Sequence, residues 1–305
     1  MKAIFFMQNG GPDVLQYGDQ PDPVAGEGQV LVDIHAASVN GADWKTRSGY
    51  HALTKKFPHI PGRDFSGVIS AVGRGVTEFK PGDEVFGVSL HTDESCYAEK
   101  IAINAAIVTR KPAQLSHLEA AALGLIGLTA IVSIDNALQV KAGQTVLVQG
   151  GAGGVASFAL QFAKHLGARV ITTCSAGNID YVKSLGADQV IDYNAVDFTT
   201  VLKDIDAVLD TVGGTVAQNA FKVLRRGGRA AFINGPAPTP PFDDMASLKP
   251  DATRKREHLD RIVALVTAGA VKLPQITPYA LTDAAAAHRV SEGRHLRGKL
   301  VFRLK

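Results

Sequence analysis

Thr145-Val146-Leu147-Val148-Gln149 runs directly into Gly150-Gly151-Ala152-Gly153-Gly154-Val155-Ala156, and the reading of this stretch decides the fold. The first five residues form a short apolar, β-branched run of the kind that becomes a buried strand. Beyond the glycines, Val155, Phe158, Ala159, Phe162, Ala163 and Leu166 recur at helical spacing, and Gly167 supplies a stop. Arg169-Val170-Ile171-Thr172-Thr173 then returns to strand character. The glycine run matches Gly-x-Gly-x-x-Gly/Ala when taken as Gly151, Gly153 and Ala156. Such a turn needs a first glycine to bend, a second to admit a pyrophosphate against the backbone, and a small third residue to keep helix and strand close. The helix N-terminus adds unpaired N–H groups and a positive dipole end. Strand, loop, helix and second strand together fall at the spacing of a dinucleotide-binding unit.

In such a unit an acidic residue about 20 positions further on binds the ribose 2′-hydroxyl of NAD. Here the second strand ends in Cys174-Ser175. No carboxylate stands there to repel a 2′-phosphate, and the Ser175 hydroxyl is able to donate to one, so NADP(H) is the expected cofactor. Ser175 as a plain turn residue is the other reading.

Outward from this unit the alternation continues. Asn178 stands where it can cap a helix ending at Gly186, and strands are predicted at 189–191, 206–210 and 229–233. Such alternation calls for a mostly parallel sheet covered on both faces. The proline-rich residues 236–250 read as a long loop, followed by a helix with Leu259, Ile262, Val263 and Val266 on one face. Toward the N-terminus the pattern is different. Val30, Val32 and Ile34 alternate with Leu31, Asp33 and His35, and Pro61-Gly62, Gly73-Arg74-Gly75 and Pro81-Gly82-Asp83 punctuate further short apolar runs, as in a small all-β domain. Ser116-His117-Leu118-Glu119 is a capping-box pattern and predicts a helix start. Residues 298–304 again read as a strand, which most simply rejoins the N-terminal β domain.

The chain has 305 residues, 46% hydrophobic and 20% charged, with 31 Gly and 14 Pro; this is the profile of one large or two ordinary folded domains rather than a disordered chain. The net charge of +3 is spread along the sequence, too weak for a nucleic-acid footprint. Two cysteines, Cys96 and Cys174, rule out a cysteine-built zinc site within one chain. The uncharged residues 120–134 fall short of the roughly 20 apolar residues of a membrane span and read as protein interior. The N-terminus lacks a signal-peptide pattern, and the expected compartment is the cytoplasm.

Several motifs carry a resemblance: Ala37-Ser38-Val39-Asn40, Asp43-Trp44-Lys45, Ile60-Pro61-Gly62-Arg63-Asp64 leading to Gly67, Lys80-Pro81-Gly82-Asp83, Gly127-Leu128-Thr129-Ala130, the glycine loop, Leu185-Gly186-Ala187-Asp188, and Arg297-Gly298-Lys299. Together the sequence resembles a zinc-independent medium-chain dehydrogenase/reductase of the quinone oxidoreductase-like, zeta-crystallin-like type, nearly end to end. The resemblance implies an α/β chain with a Rossmann-like doubly wound parallel sheet domain and a GroES-like β-barrel domain. The expected segments are residues 1–120 for the GroES-like part, 121–265 for the NADP-binding part, and 266–305 as the return segment. It also implies a homodimer and a small-molecule substrate, with no nucleic acid or membrane as partner.

Zinc-dependent relatives hold their metal with a Cys, a Gly-His-Glu histidine and a further Cys or Asp. The matching positions here are Asn40, Arg63 and the cysteine-free run 123–125. Arginine does not ligate a cation, so no metal is expected; His51, His59 and His91 are assigned surface or packing roles. Without a Lewis acid, the remaining chemistry is hydride delivery from NADPH to a quinone or to the β-carbon of an α,β-unsaturated carbonyl. Three residues are the catalytic candidates. Asn40 is placed to donate from its amide to the acceptor oxygen, the alternative being an asparagine that satisfies loop backbone. Lys45 matches a position where relatives carry a tyrosine or proton-relay histidine, the alternative being a solvated lysine. Asp43 is read as an orienting carboxylate, and Trp44 as packing. For the cofactor the candidates are Thr129, Gly151, Ala152, Gly153, Gly154, Val155, Ser175, Tyr193, Val212, Gly213, Asn234 and Gly235, with Lys299 reaching toward the phosphates. Asn178 stands where many relatives have a lysine for the 2′-phosphate. An enoyl-thioester reductase and a non-catalytic NADPH-binding sensor or structural protein remain as alternatives.

Overall fold

A computed structural model describes residues 1–50, 56–90, 92–251 and 253–305. His51 and His91 lie outside the described residues. The chain opens with β1 (Lys2–Phe5), β2 (Gln16–Asp19), β3 (Gln29–Ser38), α1 (Gly41–Arg47), β4 (Asp64–Val72), β5 (Glu84–Val88), β6 (Lys100–Asn104) and β7 (Val108–Arg110). There follow α2 (His117–Ile131), β8 (Thr145–Gln149), α3 (Gly154–His165), β9 (Arg169–Cys174), α4 (Ile179–Ser184), β10 (Gln189–Asp192), α5 (Phe198–Val201), β11 (Ile205–Asp210), α6 (Gly214–Val223), β12 (Leu224–Phe232) and β13 (Ala246–Leu248). The last elements are α7 (Arg256–Thr267), β14 (Ile276–Ala280), α8 (Ala284–Glu292) and β15 (Lys299–Arg303).

The chain forms two compact units, one of residues 1–125, 254–264 and 275–305, the other of 126–253 and 265–274. The division departs from the expected boundaries at α7. Arg256 donates from Nε to Val108 O at 3.0 Å and pairs with Glu78 at 2.9 Å, and Thr109 hydrogen-bonds Asp260. These contacts tie the first turns of α7 into the first unit.

In the first unit a seven-stranded sheet runs β14-β15-β3-β4-β5-β7, with β6 on β3. The alternation read from β3 is met: Val30, Val32 and Ile34 are buried, and Leu31, Asp33 and His35 are partly exposed. The buried face joins Phe65, Ile69, Val85, Ile101 and Phe302 in one apolar cluster. The C-terminal β15 pairs antiparallel with β3, Val301 opposite Ser38, which returns the chain end to this unit.

α1 is held by a charge that sequence periodicity does not reveal. Arg47 is 1% exposed; it donates from Nε to Gly10 O at 3.1 Å, lies 3.2 Å from His288 Nδ1 on α8, and pairs with Glu292. Donation by Arg47 requires Nδ1 to accept, so His288 is the neutral tautomer. Burial, with the Arg47 charge adding to it, pushes the His288 imidazole down to about 3. Its folded value lies below the unfolded one, so this contribution to stability is complete above about pH 6.5 and is lost as the pH falls toward 3. Urea unfolding between pH 7 and 4.5 is therefore expected to show an acid limb that is shallower in His288→Gln. An unchanged limb would remove His288 from the linkage.

α2 begins where the capping box predicted: Glu119 Oε2 accepts from Ser116 N and Oγ at 2.7 Å each. It continues through a π-helical turn, Val132–Ala137. His117–Ala137 is 21 residues, and its most apolar 18-residue window has mean hydropathy 1.7, long and apolar enough to span a membrane, contrary to the estimate from residues 120–134. Burial of 78% of its apolar window within the fold assigns it to protein interior.

The second unit is a six-stranded parallel sheet in the order β10-β9-β8-β11-β12-β13, the doubly wound order with its reversal between β8 and β11. Residues 236–250, expected to be entirely loop, contain β13, which pairs with β12 from Arg229 opposite Ala246. Three residues of pairing are too few to leave a periodic signature, and the surrounding prolines mask them.

Candidate active site

In open α/β sheets ligands bind beyond the carboxyl ends of the strands at the point where strand order reverses. Here that point carries the glycine loop after β8 and the 211–213 turn after β11. A Cβ on Gly151 would lie 2.2 Å from Thr172 Oγ1, and Gly213, with φ +85°, would put one 2.8 Å from Asn234 O. A side chain at Gly151 would collide with β9, and one at Gly213 with the turn after β12, so glycine is what lets these turns pack this closely. Gly153 N-caps α3 with extended backbone, and no side chain caps that end, so the helix N-terminus is presented for an anion. Ala152 is buried, and Gly153, Gly154 and Val155 are partly exposed.

The edges of this site are built by hydrogen bonds. Asp210 ends β11 and accepts from Val212 N at 3.2 Å and Gly213 N at 2.8 Å. Burial pushes its carboxyl up to about 6 against the pull of those two N–H groups. Asn234 donates to Val212 O at 2.5 Å, which joins the turns after β11 and β12. Lys249 donates to Gly235 O at 2.6 Å and Ile233 O at 3.2 Å. At the end of β9, Asn178 Nδ2 donates to Ser175 Oγ at 3.0 Å, which leaves the serine O–H to donate elsewhere. Tyr193 follows β10 and is 48% exposed; its N–H bonds Cys174 O at 3.2 Å. The structure thus brings Gly151–Val155, Ser175, Tyr193, Val212, Gly213, Asn234 and Gly235 to the carboxyl ends of their strands. Thr129 lies partly exposed on α2, in the same unit.

The first unit holds a buried polar cluster around the start of α1. Asn40, Asp43, Thr46, Arg63, Asp64 and Glu94 are each at most 8% exposed. Asp64 Oδ1 accepts from Ser38 Oγ at 2.7 Å and from Asn40 Nδ2 at 2.9 Å, and its Oδ2 accepts from Leu125 N at 3.0 Å. Asp43 Oδ2 accepts from Asn40 N at 2.8 Å and from Tyr97 OH at 2.7 Å, so Asp43 closes a capping box at the N-terminus of α1. Its Oδ1 has no hydrogen-bond partner among the described residues and lies 3.9 Å from Arg63 Nε. Burial, reinforced by the Glu94 charge and opposed by Arg63, pushes the Asp43 carboxyl up to about 7. Arg63 donates from Nε to Glu94 Oε1 at 2.9 Å, and His59 Nε2 lies 2.7 Å from Glu94 Oε2.

Lys45 points differently. Its Nζ lies 5.5 Å from the Trp44 ring centroid and 5.9 Å from that of Tyr50, a cation held against aromatic faces. Lys299 departs from the role expected of it. It is 3% exposed, and its Nζ donates to Val39 O at 2.7 Å and Asn40 Oδ1 at 2.6 Å; pairing of β15 with the end of β3 draws it into the interior of the first unit. Sequence reasoning missed Asp210, Lys249, Glu94 and Tyr97. Asp210 had a signal, an acidic residue closing an apolar strand, whereas Glu94 and Tyr97 sit in a segment with no periodicity.

Comparison with known proteins adds the family. Residues 26–203 match the family described as alcohol dehydrogenase GroES-like domain, and residues 185–302 match the one described as zinc-binding dehydrogenase. The chain belongs to the medium-chain dehydrogenase/reductase family. Within that family it falls in the zinc-independent, quinone oxidoreductase-like branch. It is 37% identical to 2-methylene-furan-3-one reductase of Solanum lycopersicum over 289 residues, covering 91% of this chain and 72% of that protein. A quinone oxidoreductase from Coxiella burnetii superposes with a TM-score of 0.93 at 34% identity, covering 100% of this chain and 99% of that one. The Escherichia coli quinone oxidoreductase complexed with NADPH superposes at 0.90 with 27% identity, covering 99% and 100%. Among the described residues no group of three or more His, Cys, Asp or Glu is arranged to hold a metal ion.

Proposed function

We propose that this protein reduces a quinone, or the activated double bond of an α,β-unsaturated carbonyl, by hydride transfer from NADPH without zinc. The observation that carries the reading is the Asn40–Asp64–Arg63–Glu94 cluster. The groups at the metal-ligand positions of zinc-dependent relatives are here an amide and a guanidinium, each committed to a carboxylate, and neither pattern suits a Lewis acid. The names of the relatives support the same chemistry: a methylene-furanone reductase acts on an enone, and the two structural neighbours are quinone oxidoreductases.

NADPH, when bound, supplies the hydride. The chain's own residues bind, orient and manage the proton. Gly151 to Val155 and the α3 N-terminus take the pyrophosphate, and the Ser175 hydroxyl with Tyr193 takes the 2′-phosphate. Thr129, Val212-Gly213 and Asn234-Gly235 flank the nicotinamide end. On the acceptor side, Asn40 Nδ2 donates to Asp64 Oδ1 at 2.9 Å, and its further contact among the described residues is a long one to Ser38 O at 3.4 Å. That weakly engaged hydrogen is the donor for the acceptor oxygen, where negative charge develops as the hydride arrives. Lys45 supplies the proton that completes the reduction, so that the acceptor gains one hydride and one proton.

Lys45→Met is expected to lower kcat on the order of tenfold or more, as for loss of a general acid, with the Kd for NADPH unchanged by fluorescence titration. Unchanged turnover would remove Lys45 from the mechanism. Reduction of an enone with NADPH deuterated at both C4 positions tests the reaction class: deuterium is expected on the β-carbon of the product, and its absence there would exclude hydride delivery to the alkene. We further read the protein as a cytoplasmic homodimer. Both cysteines are free and buried, which fits a reducing compartment. Light scattering is expected to give twice the 32.1 kDa chain mass.

A further inference from the structure

Lys299 is an enclosed cation, and among the described residues no carboxylate is in direct contact with it. Its two hydrogen bonds go to neutral oxygens, Val39 O and Asn40 Oδ1. Burying an ammonium is costly, and an apolar side chain of the same length would be cheaper for stability alone. What the ammonium does is visible at Asn40. That amide sits between a donor and an acceptor, with Lys299 Nζ 2.6 Å from Oδ1 and Asp64 Oδ1 2.9 Å from Nδ2. Rotating the amide by half a turn would set its NH2 against the ammonium and its oxygen against the carboxylate. Asp64 does not move to relieve this, because Ser38 Oγ and Leu125 N hold both of its oxygens. A single orientation of the Asn40 amide survives.

We propose that Lys299 is a positioning residue for the reduction, whose ammonium fixes the Asn40 amide so that its second N–H is aimed at the acceptor oxygen. The proposal rests on the reading of Asn40 as that donor. The geometry makes Lys299 act through Asn40 rather than on the substrate or the cofactor phosphates. Once the Asn40 amide is absent, Lys299 has nothing left to orient, and its removal has little further effect on turnover.

The test is a double-mutant cycle on acceptor-dependent NADPH oxidation with Lys299→Met, Asn40→Ala and the double variant. Each single variant is expected to lower kcat by roughly tenfold, in the range that misplacement of a reacting group costs, with the Kd for NADPH held within about twofold. The double variant is expected to fall no more than roughly threefold below Asn40→Ala, because residues acting as one unit are not additive. Lys299→Arg, which keeps the cation, is expected to recover part of the loss. Full additivity, or an unchanged kcat in Lys299→Met, would overturn the proposal.

A second measurement needs neither turnover nor a foldable Lys299 variant. In protein labelled with 15N-lysine, the wild-type Lys299 ammonium is expected to give a slowly exchanging signal that shifts in Asn40→Ala. A signal that Asn40→Ala leaves in place would refute the contact on which the proposal depends. If the wild-type protein oxidises NADPH with no quinone or enone, the reductase reading fails, and this spectrum still decides whether Lys299 holds Asn40.

Discussion

Replacing Ser175 by aspartate is expected to reverse the choice between the two nicotinamide cofactors. Ser175 directly follows β9, at the position where NAD-specific dinucleotide folds place a carboxylate. Its oxygen already accepts from Asn178 Nδ2 at 3.0 Å, so its own hydrogen is left to donate to a 2′-phosphate. An aspartate there would accept from the ribose 2′-hydroxyl of NADH and repel the dianionic phosphate of NADPH, a like-charge contact costing several kcal/mol. The ratio of kcat/KM for NADPH to that for NADH is expected to fall by about 100-fold or more, a size consistent with such a contact. Retention of the wild-type ratio would show that the 2′-position of the ribose lies elsewhere. Asn178 is part of this argument because an amide in place of a lysine leaves the phosphate without a formal positive partner at that position. Asn178→Lys is the converse substitution, and it is expected to strengthen binding of NADPH over NADH.

The largest effect on stability is expected at Asp64. Its carboxylate serves three donors, Ser38 Oγ, Asn40 Nδ2 and Leu125 N, all inside the first unit. Asp64→Ala would leave those donors unpaired and remove a negative charge close to the buried Lys299, whose ionised form Asp64 favours. Breaking a buried charged network from one side costs about 3–5 kcal/mol, and urea unfolding at pH 7 is expected to show a loss of that order. Asp64→Asn keeps one oxygen acceptor and is expected to lose less. A loss below about 1 kcal/mol for Asp64→Ala would mean that the donors find other partners, since that is the value of one ordinary hydrogen bond. Because Asp64 also limits the Asn40 amide to one orientation, the alanine variant is expected to lose turnover together with stability.

The cofactor half of this protein was legible because its physics is local. A tight turn, a helix N-terminus and a strand edge are set by residues adjacent in the chain, so Gly150 to Ala156 already imply the loop that the structure contains. The same holds for β3, where period-two alternation matches burial from Gln29 to Ala36 before Ala37 and Ser38 are buried as well, and for α2, whose Ser116–Glu119 box forms as read. The acceptor half is non-local. Asp43 meets Tyr97, Arg63 meets Glu94, and Lys299 meets Asn40 across 259 positions, and no periodicity connects such pairs. Lys299 shows the consequence. From its Arg-Gly-Lys setting it reads as a phosphate contact, yet the register of β15 on β3 turns it into the interior. The short β13 was invisible for a different reason, since three paired residues among prolines carry less signal than the turn chemistry around them. Asp43 and Lys45 were both found by motif, but their environments separate them only in the structure: one is fully enclosed and bridges two donors, the other rests on the rings of Trp44 and Tyr50.

The most direct measurement is acceptor-dependent oxidation of NADPH by protein freed of metal with a chelator, across matched quinones and enones, with NADH in parallel. The account predicts rapid oxidation of NADPH with at least one of these acceptor classes, at a rate the chelator does not change. Tight binding of NADPH without oxidation by any acceptor, or activity that returns only when zinc is added, would contradict it.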